Sequence, residues 1–90
     1  MTQEQLIEIE KENLKDELED VKKYIAMSKA ANELGDRYAS NNYLAIANDE
    51  FTHAEFAKMH LSSLNVHIDE LTLKYMSELH HMLHNYSRRR

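Results

Sequence analysis

The sequence contains no cysteine, no proline, no tryptophan and only one glycine among its 90 residues. Without cysteine the chain cannot form disulfides, thiolate metal sites or cysteine nucleophiles, so any metal must be held by oxygen atoms and imidazole nitrogens. With no proline and one glycine, very little in the chain interrupts a helix. Glutamate, leucine, alanine and lysine are abundant instead. The composition therefore predicts an all-α protein.

Long apolar runs and a basic surface are also missing. No stretch approaches the roughly 20 apolar residues of a membrane span, and the first residues do not follow the pattern of a secretory signal. We therefore expect a cytoplasmic protein with no membrane partner. The formal net charge is −5, which argues against nucleic acid as a partner. Arg88, Arg89 and Arg90 are interpreted as a solvated chain end.

The length predicts a single domain covering residues 1–90. A chain this short buries a smaller fraction of its surface than a longer one, so its core is marginal unless something reinforces it. Oligomerisation or a bound metal could provide that reinforcement.

One long helix is predicted over about residues 3–34. Thr2 and Gln5 have the spacing of a capping box at its start. Gly35 stands where a left-handed residue would end it. Because the connection is short, a second helix over about residues 37–64 should pack antiparallel to the first.

A third helix is predicted over about residues 67–86. Ser62, Ser63 and Asn65 weaken the helical pattern before it, and apolar residues then recur at helical spacing. This boundary is the least clearly marked of the three, since serine and asparagine also occur inside helices.

A Glu-x-x-His motif, Glu50 to His53, lies in the second predicted helix. Residues three apart point to the same side of a helix, so the carboxylate and the imidazole can bind one ion. The motif alone is weak, because Glu78 and His81 have the same spacing. Glu50 and His53, however, fall on the inward side of their helix, where a charge is costly unless it is paired or bound to a metal.

Glu17 poses the same problem in the first helix. It lies 18 residues before Gly35, and Glu50 lies 15 residues after it. At about 1.5 Å per residue, antiparallel packing brings Glu17 to nearly the height of Glu50 and His53. One Glu facing one Glu-x-x-His is half of a di-iron carboxylate site, which needs two of each. A two-fold symmetric homodimer would supply the other half.

These residues carry a resemblance to a known family. The runs ELEDVKKY, from Glu17 to Tyr24, and DEFTHA, from Asp49 to Ala54, resemble the helix pair of the encapsulated ferritins, short members of the ferritin and rubrerythrin superfamily. The resemblance covers about residues 12–80. It implies a ferritin-like antiparallel helical hairpin plus a C-terminal helix, with the four-helix bundle completed by dimerisation.

The resemblance also implies roles for individual residues. The iron ligands would be Glu17, Glu50 and His53. Tyr24 would lie beside the site, and Asp16 and Glu19 would line the route by which iron enters. The implied activity is that of a ferroxidase, which oxidises Fe(II) to Fe(III) at a di-iron site with two ions per dimer. Mn or Zn could replace iron there.

The family further implies dimers assembled into a ring, enclosed in an encapsulin nanocompartment. The C-terminal sequence MLHNYSRRR does not match an obvious targeting peptide for such a shell.

Two other readings remain open at this point. Glu17, Glu50 and His53 could form ion pairs in a catalytically silent helical oligomer, or hold a metal without oxidising it in a metal-binding interaction module. His80, His81 and His84 form a cluster near the C-terminus. It is interpreted as a polar face whose cationic side chains favour the helix dipole, with adventitious zinc or nickel binding as the alternative. His60 and His67 are assigned no role.

Overall fold

The computed structural model describes residues 1–89, which form three α-helices. Helix α1 runs from Gln3–Glu33, α2 from Arg37–Ser63 and α3 from Glu70–Arg89. The described residues contain no strand. The all-α prediction is confirmed, and the first two helices begin and end within one residue of the predicted positions.

The start of α1 and the turn after it follow from local chemistry. The Gln5 amide donates to the Thr2 hydroxyl at 3.1 Å, and the Thr2 amide donates to the Gln5 side chain at 2.9 Å, so the capping box is present. Gly35 has φ of +79°, the left-handed conformation that glycine adopts at low cost. Asp36 then caps α2 by accepting from the Ala39 amide at 3.0 Å.

Helix α3 begins three residues later than predicted, at Glu70. Val66 and Ile68 pack against the core from a non-helical segment, which prevents α3 from starting earlier. Asp69 caps the helix by accepting from the Thr72 amide at 2.7 Å. The same backbone hydrogen bond lowers the pKa of the Asp69 carboxyl. At the other end, α3 continues to Arg89 rather than stopping at residue 86.

The core lies between the two antiparallel helices and under α3. Leucine, valine and isoleucine side chains of α1 face a row of small residues on α2, whose short side chains let the helices approach closely. The buried set is Leu14, Leu18, Val21 and Ile25 from α1, Ala47, Phe51, Ala54, Ala57 and Leu61 from α2, and Met76, Leu79 and Leu83 from α3.

A network of buried hydroxyl groups joins the C-terminal end of α3 to the hairpin formed by α1 and α2. Ser28 donates to the Ser40 carbonyl at 2.8 Å, and Ser40 donates to the Ser28 carbonyl at 2.9 Å. The Tyr86 hydroxyl lies 2.8 Å from the Ser28 hydroxyl. Because the Ser28 proton is committed to Ser40, Tyr86 acts as the donor. The network satisfies two fully buried serines and anchors the end of α3.

Helix α3 covers only one side of the hairpin. The Tyr75 hydroxyl donates to the Glu19 carboxylate at 3.3 Å, and His80 stacks on Phe51 with ring centroids 5.3 Å apart. Residues two apart on a helix point about 200° apart, so Glu17 lies on the side away from α3. We call that side the outer face. It comprises Leu6, Glu10, Asn13, Glu17, Asp20 and Tyr24 of α1 and Ile46, Glu50, His53, Phe56 and His60 of α2.

Within the described residues, none of the helices is long and apolar enough to cross a membrane.

Candidate metal site

The three predicted ligands lie together halfway along the outer face. The Nδ1 atom of His53 is 3.4 Å from a carboxylate oxygen of Glu50 and 3.7 Å from one of Glu17. Glu50 and His53 are neighbours because they are three residues apart on one helix. Glu17 joins them because the short turn at Gly35 places the two helices side by side at this height.

The cluster is half-buried and opens outwards. The side chains of Glu17 and Glu50 are 20% and 22% exposed, whereas that of His53 is 60% exposed. Burial raises the pKa of the Glu17 carboxyl, and the negative charges of Glu50, Glu10 and Asp16 raise it further, while His53 lowers it. A cation bound at this place would offset both the cost of burying the charged Glu17 carboxylate and its repulsion by the neighbouring carboxylates.

The donor set of two carboxylates and one imidazole suits a hard or borderline divalent cation. Within residues 1–89 of a single chain, no group of three His, Asp or Glu side chains is arranged to hold a metal ion. The cluster by itself is a pair of contacts centred on His53, with its exposed side facing away from the hairpin. Further ligands would therefore have to come from outside this chain.

Tyr24 lies two turns along α1 from Glu17, about 10 Å away along the helix axis. Its ring is 6.1 Å from that of Tyr43, and the ammonium of Lys23 lies 4.8 Å from the ring centre. A role for Tyr24 beside the metal stays a prediction.

The two acidic residues assigned to the route of iron lie on different sides of α1. Asp16 is exposed beside Glu17. Glu19 accepts a hydrogen bond from Tyr75 of α3 and therefore lies on the side opposite the outer face. Asp16 is thus the better placed of the two to attract cations towards Glu17.

A second Glu–His pair, to which the sequence patterns assigned no role, lies on the outer face. The Nδ1 atom of His60 is 2.8 and 2.7 Å from the two carboxylate oxygens of Glu10. The ring of Phe56 stacks on the imidazole, with centroids 6.0 Å apart. Glu10 precedes Glu17 by seven residues and His60 follows His53 by seven, so each lies two turns away on the same side of its helix. That shared spacing could have revealed the pair.

Apolar side chains border this part of the outer face. Leu6, Ile9 and Phe56 are all exposed. With Glu10, Asn13, Glu17, Thr52, His53 and Ala57 they line a shallow groove of about 290 Å³. Exposed apolar side chains around partly buried charges are typical of a surface that another protein covers.

The C-terminal histidines are exposed on α3, away from this cluster. His80 stacks on Phe51, which is a contact with the hairpin. The structure therefore brings Glu17, Glu50 and His53 together and keeps His80, His81 and His84 apart from them.

Comparisons with known proteins do not identify a family for this chain, so its function must be argued from the geometry of these residues. No protein-family model, no curated protein and no solved structure matches the chain.

Proposed function

We propose that the protein is a ferroxidase, which oxidises Fe(II) to Fe(III) at a di-iron site formed between two copies of the chain. The observation that carries the proposal is the half-buried cluster of Glu17, Glu50 and His53. Its contacts of 3.4 and 3.7 Å bring a carboxylate of one helix to a Glu-x-x-His of the other. This is one half of the ligand set of a di-iron carboxylate site.

The second half would come from a second copy. A two-fold axis through the cluster would bring four carboxylates and two imidazoles around two ions, and the outer face would become the interface. The groove bordered by Leu6, Ile9 and Phe56 supports this proposal, because it offers apolar surface next to the ligands. Dimerisation would also complete a ferritin-like four-helix bundle from two hairpins.

The chemistry follows from the ligands. Two Fe(II) ions would each lose one electron. The oxidant would be dioxygen, which takes up both electrons and two protons to give hydrogen peroxide, or peroxide, which takes up both electrons and two protons to give water. Glu50 could bridge the ions, and carboxylates can change their binding mode as the charge of the ions rises. The raised pKa of the Glu17 carboxyl means that cation binding would compete with a proton there. The net charge of −5 would attract Fe(II) to the surface.

The cellular role would be iron storage or detoxification. A ring of dimers, an encapsulin shell and the use of Mn or Zn in place of iron stay predictions from the resemblance to encapsulated ferritins.

A second candidate is a catalytically silent helical dimer. It is favoured by the absence of a three-ligand group within residues 1–89 of one chain and by His53 and His60, each of which already contacts a carboxylate. In this case the two Glu–His contacts would only hold α1 against α2. A dimer that binds metal without oxidising it would lie between the two candidates.

The test is oxidation of Fe(II) under air, followed by absorbance of the ferric product, with the oligomeric mass measured on the same samples. We expect oxidation well above that in buffer, lost in Glu50→Ala and retained in Glu55→Ala, a matched control on the same helix with an exposed side chain. Oxidation no faster than in buffer would favour the silent dimer. Zn(II) binding without Fe(II) oxidation would favour the metal-binding module.

A further inference from the structure

The pair of Glu10 and His60 lies on the outer face but has no role in the proposed oxidation of iron. Both carboxylate oxygens of Glu10 lie within 2.8 Å of Nδ1 of His60. An ionised carboxylate only accepts hydrogen bonds, so Nδ1 of His60 carries the proton in this contact. The stacked ring of Phe56 holds the imidazole in this orientation. The pair therefore holds the Glu10 carboxylate at a fixed place on the outer face.

A cationic side chain, Lys23, lies on the same helix on the other side of Glu17. The ammonium of Lys23 is held over the ring of Tyr24 at 4.8 Å from its centre and lies 3.5 Å from the carboxylate of Asp20. Both of these contacts turn Lys23 towards the outer face. Tyr24 follows Glu17 by seven residues, just as Glu10 precedes it by seven.

We infer that the Glu10–His60 pair of one copy docks on Lys23 and Tyr24 of a second copy, which fixes an antiparallel register centred on Glu17. The inference rests on the dimer of the proposed function. If the two-fold axis runs across the helices at the height of Glu17, residues equally far before and after Glu17 meet. Glu10 of each copy then faces Lys23 and Tyr24 of the other copy, so the two-fold axis generates two identical contacts.

The alternative axis runs along the helices and is disfavoured by charge. It would bring Glu10 of one copy to the height of the same Glu10–His60 pair in the other. The two Glu10 carboxylates would then lie at the same height with only the imidazoles of His60 beside them, and Lys23 would lie about 20 Å away along the helix axis. The antiparallel register instead pairs opposite charges. It also brings the exposed side chain of Leu6 to the height of Met27, which is partly buried.

The absence of native cysteine makes the register measurable by disulfide trapping. Asn13→Cys and Asp20→Cys lie four residues before and three after Glu17, so in the antiparallel register they face each other between copies. In the alternative register, Asn13 of one copy faces Phe56 of the other. The single-cysteine variants are mixed pairwise, with and without Zn(II) as a redox-inert ion, oxidised and analysed by mass. Circular dichroism checks that each variant is helical.

We expect the mixed disulfide between Asn13→Cys and Asp20→Cys to form in preference to that between Asn13→Cys and Phe56→Cys. The reverse preference would overturn the register and leave the ferroxidase proposal intact. A chain that stays monomeric with and without Zn(II) would overturn both. The expected disulfide in a protein that does not oxidise Fe(II) would support the register and reject the ferroxidase.

Exchanging the charges of Glu10 and Lys23 tests the same register independently, through the strength of dimerisation. Lys23→Glu should weaken dimerisation about tenfold or more at low salt, whereas Lys22→Glu, a neighbouring exposed lysine that points elsewhere, should not. Combining Lys23→Glu with Glu10→Lys should restore the dimer. A double variant no tighter than Lys23→Glu alone would contradict the docking of Glu10 on Lys23.

Discussion

Glu17 shows how a candidate ligand can reduce the stability of the free chain. Its carboxyl has a raised pKa because burial and neighbouring negative charges disfavour the ionised form. The folded chain therefore holds this proton more tightly than the unfolded chain does. Stability consequently falls as the pH rises from the ordinary pKa of glutamate through the raised one.

Glu17→Gln should therefore increase the melting temperature of the metal-free protein at neutral pH, and this gain should shrink as the pH falls below the ordinary pKa of glutamate. The same substitution should abolish Fe(II) oxidation. Thermal unfolding followed by circular dichroism between pH 4 and 8 measures the first effect, with Glu55→Gln as an exposed control. A melting temperature that falls at neutral pH would show that the charge of Glu17 stabilises the hairpin.

The three helices differ in the contacts that hold them in the fold. Helices α1 and α2 share most of the buried side chains, whereas α3 contributes Met76, Leu79 and Leu83 and a hydrogen bond from Tyr86 at its far end. Loss of that hydrogen bond should therefore loosen α3 while the hairpin persists.

Tyr86→Phe removes the donor to Ser28 but leaves the two serines bonded to each other. We expect the free energy of unfolding to fall by about 1 kcal/mol, the usual net worth of such a hydrogen bond. Amide hydrogen exchange should accelerate in the last turns of α3 and change little at the middle of α1. Tyr38→Phe, at an exposed position, should have no effect on either measurement. Uniform acceleration along the chain would instead show that α3 and the hairpin unfold together.

For the whole molecule, the proposed dimer would cover the outer face. Covering it would bury the apolar side chains around Glu17, Glu50 and His53 and remove the charges of these residues from water. A marginal single core would gain a second one in the same step.

Phe56→Asp tests this surface without disturbing the core, since the side chain is 68% exposed. It should weaken dimerisation about tenfold or more, because it places a charge within an apolar border close to Glu17. Met59→Asp is a matched control, since Met59 is 71% exposed and points about 120° away from His53 around α2. Sedimentation velocity measures the mass, and Fe(II) oxidation should fall with it. If both variants dimerise like the parent chain, the outer face is not the interface.

Much of the architecture could be predicted from the amino-acid order, because its causes are local. The capping box at Thr2, the left-handed Gly35 and the period of the apolar residues act within a few residues. The contact of Glu17 with Glu50 and His53 could also be predicted from the sequence. A short turn between two long antiparallel helices fixes which residues of one helix lie at the same height as those of the other. The start of α3 did not, because it depends on Val66 and Ile68 reaching a core that the rest of the chain builds.

The sequence by itself therefore determined the first two helices, the turn between them and the height at which the three candidate ligands meet. Only the tertiary structure decided which side of the hairpin α3 covers, and with it that Glu19 faces α3 while Glu17 faces outwards. It also showed the pairing of Glu10 with His60, residues 50 positions apart, to which the sequence patterns had assigned no role. Side chains so distant in the chain meet through the packing of whole helices, and the rotation of each helix about its axis is set by all of its core contacts together.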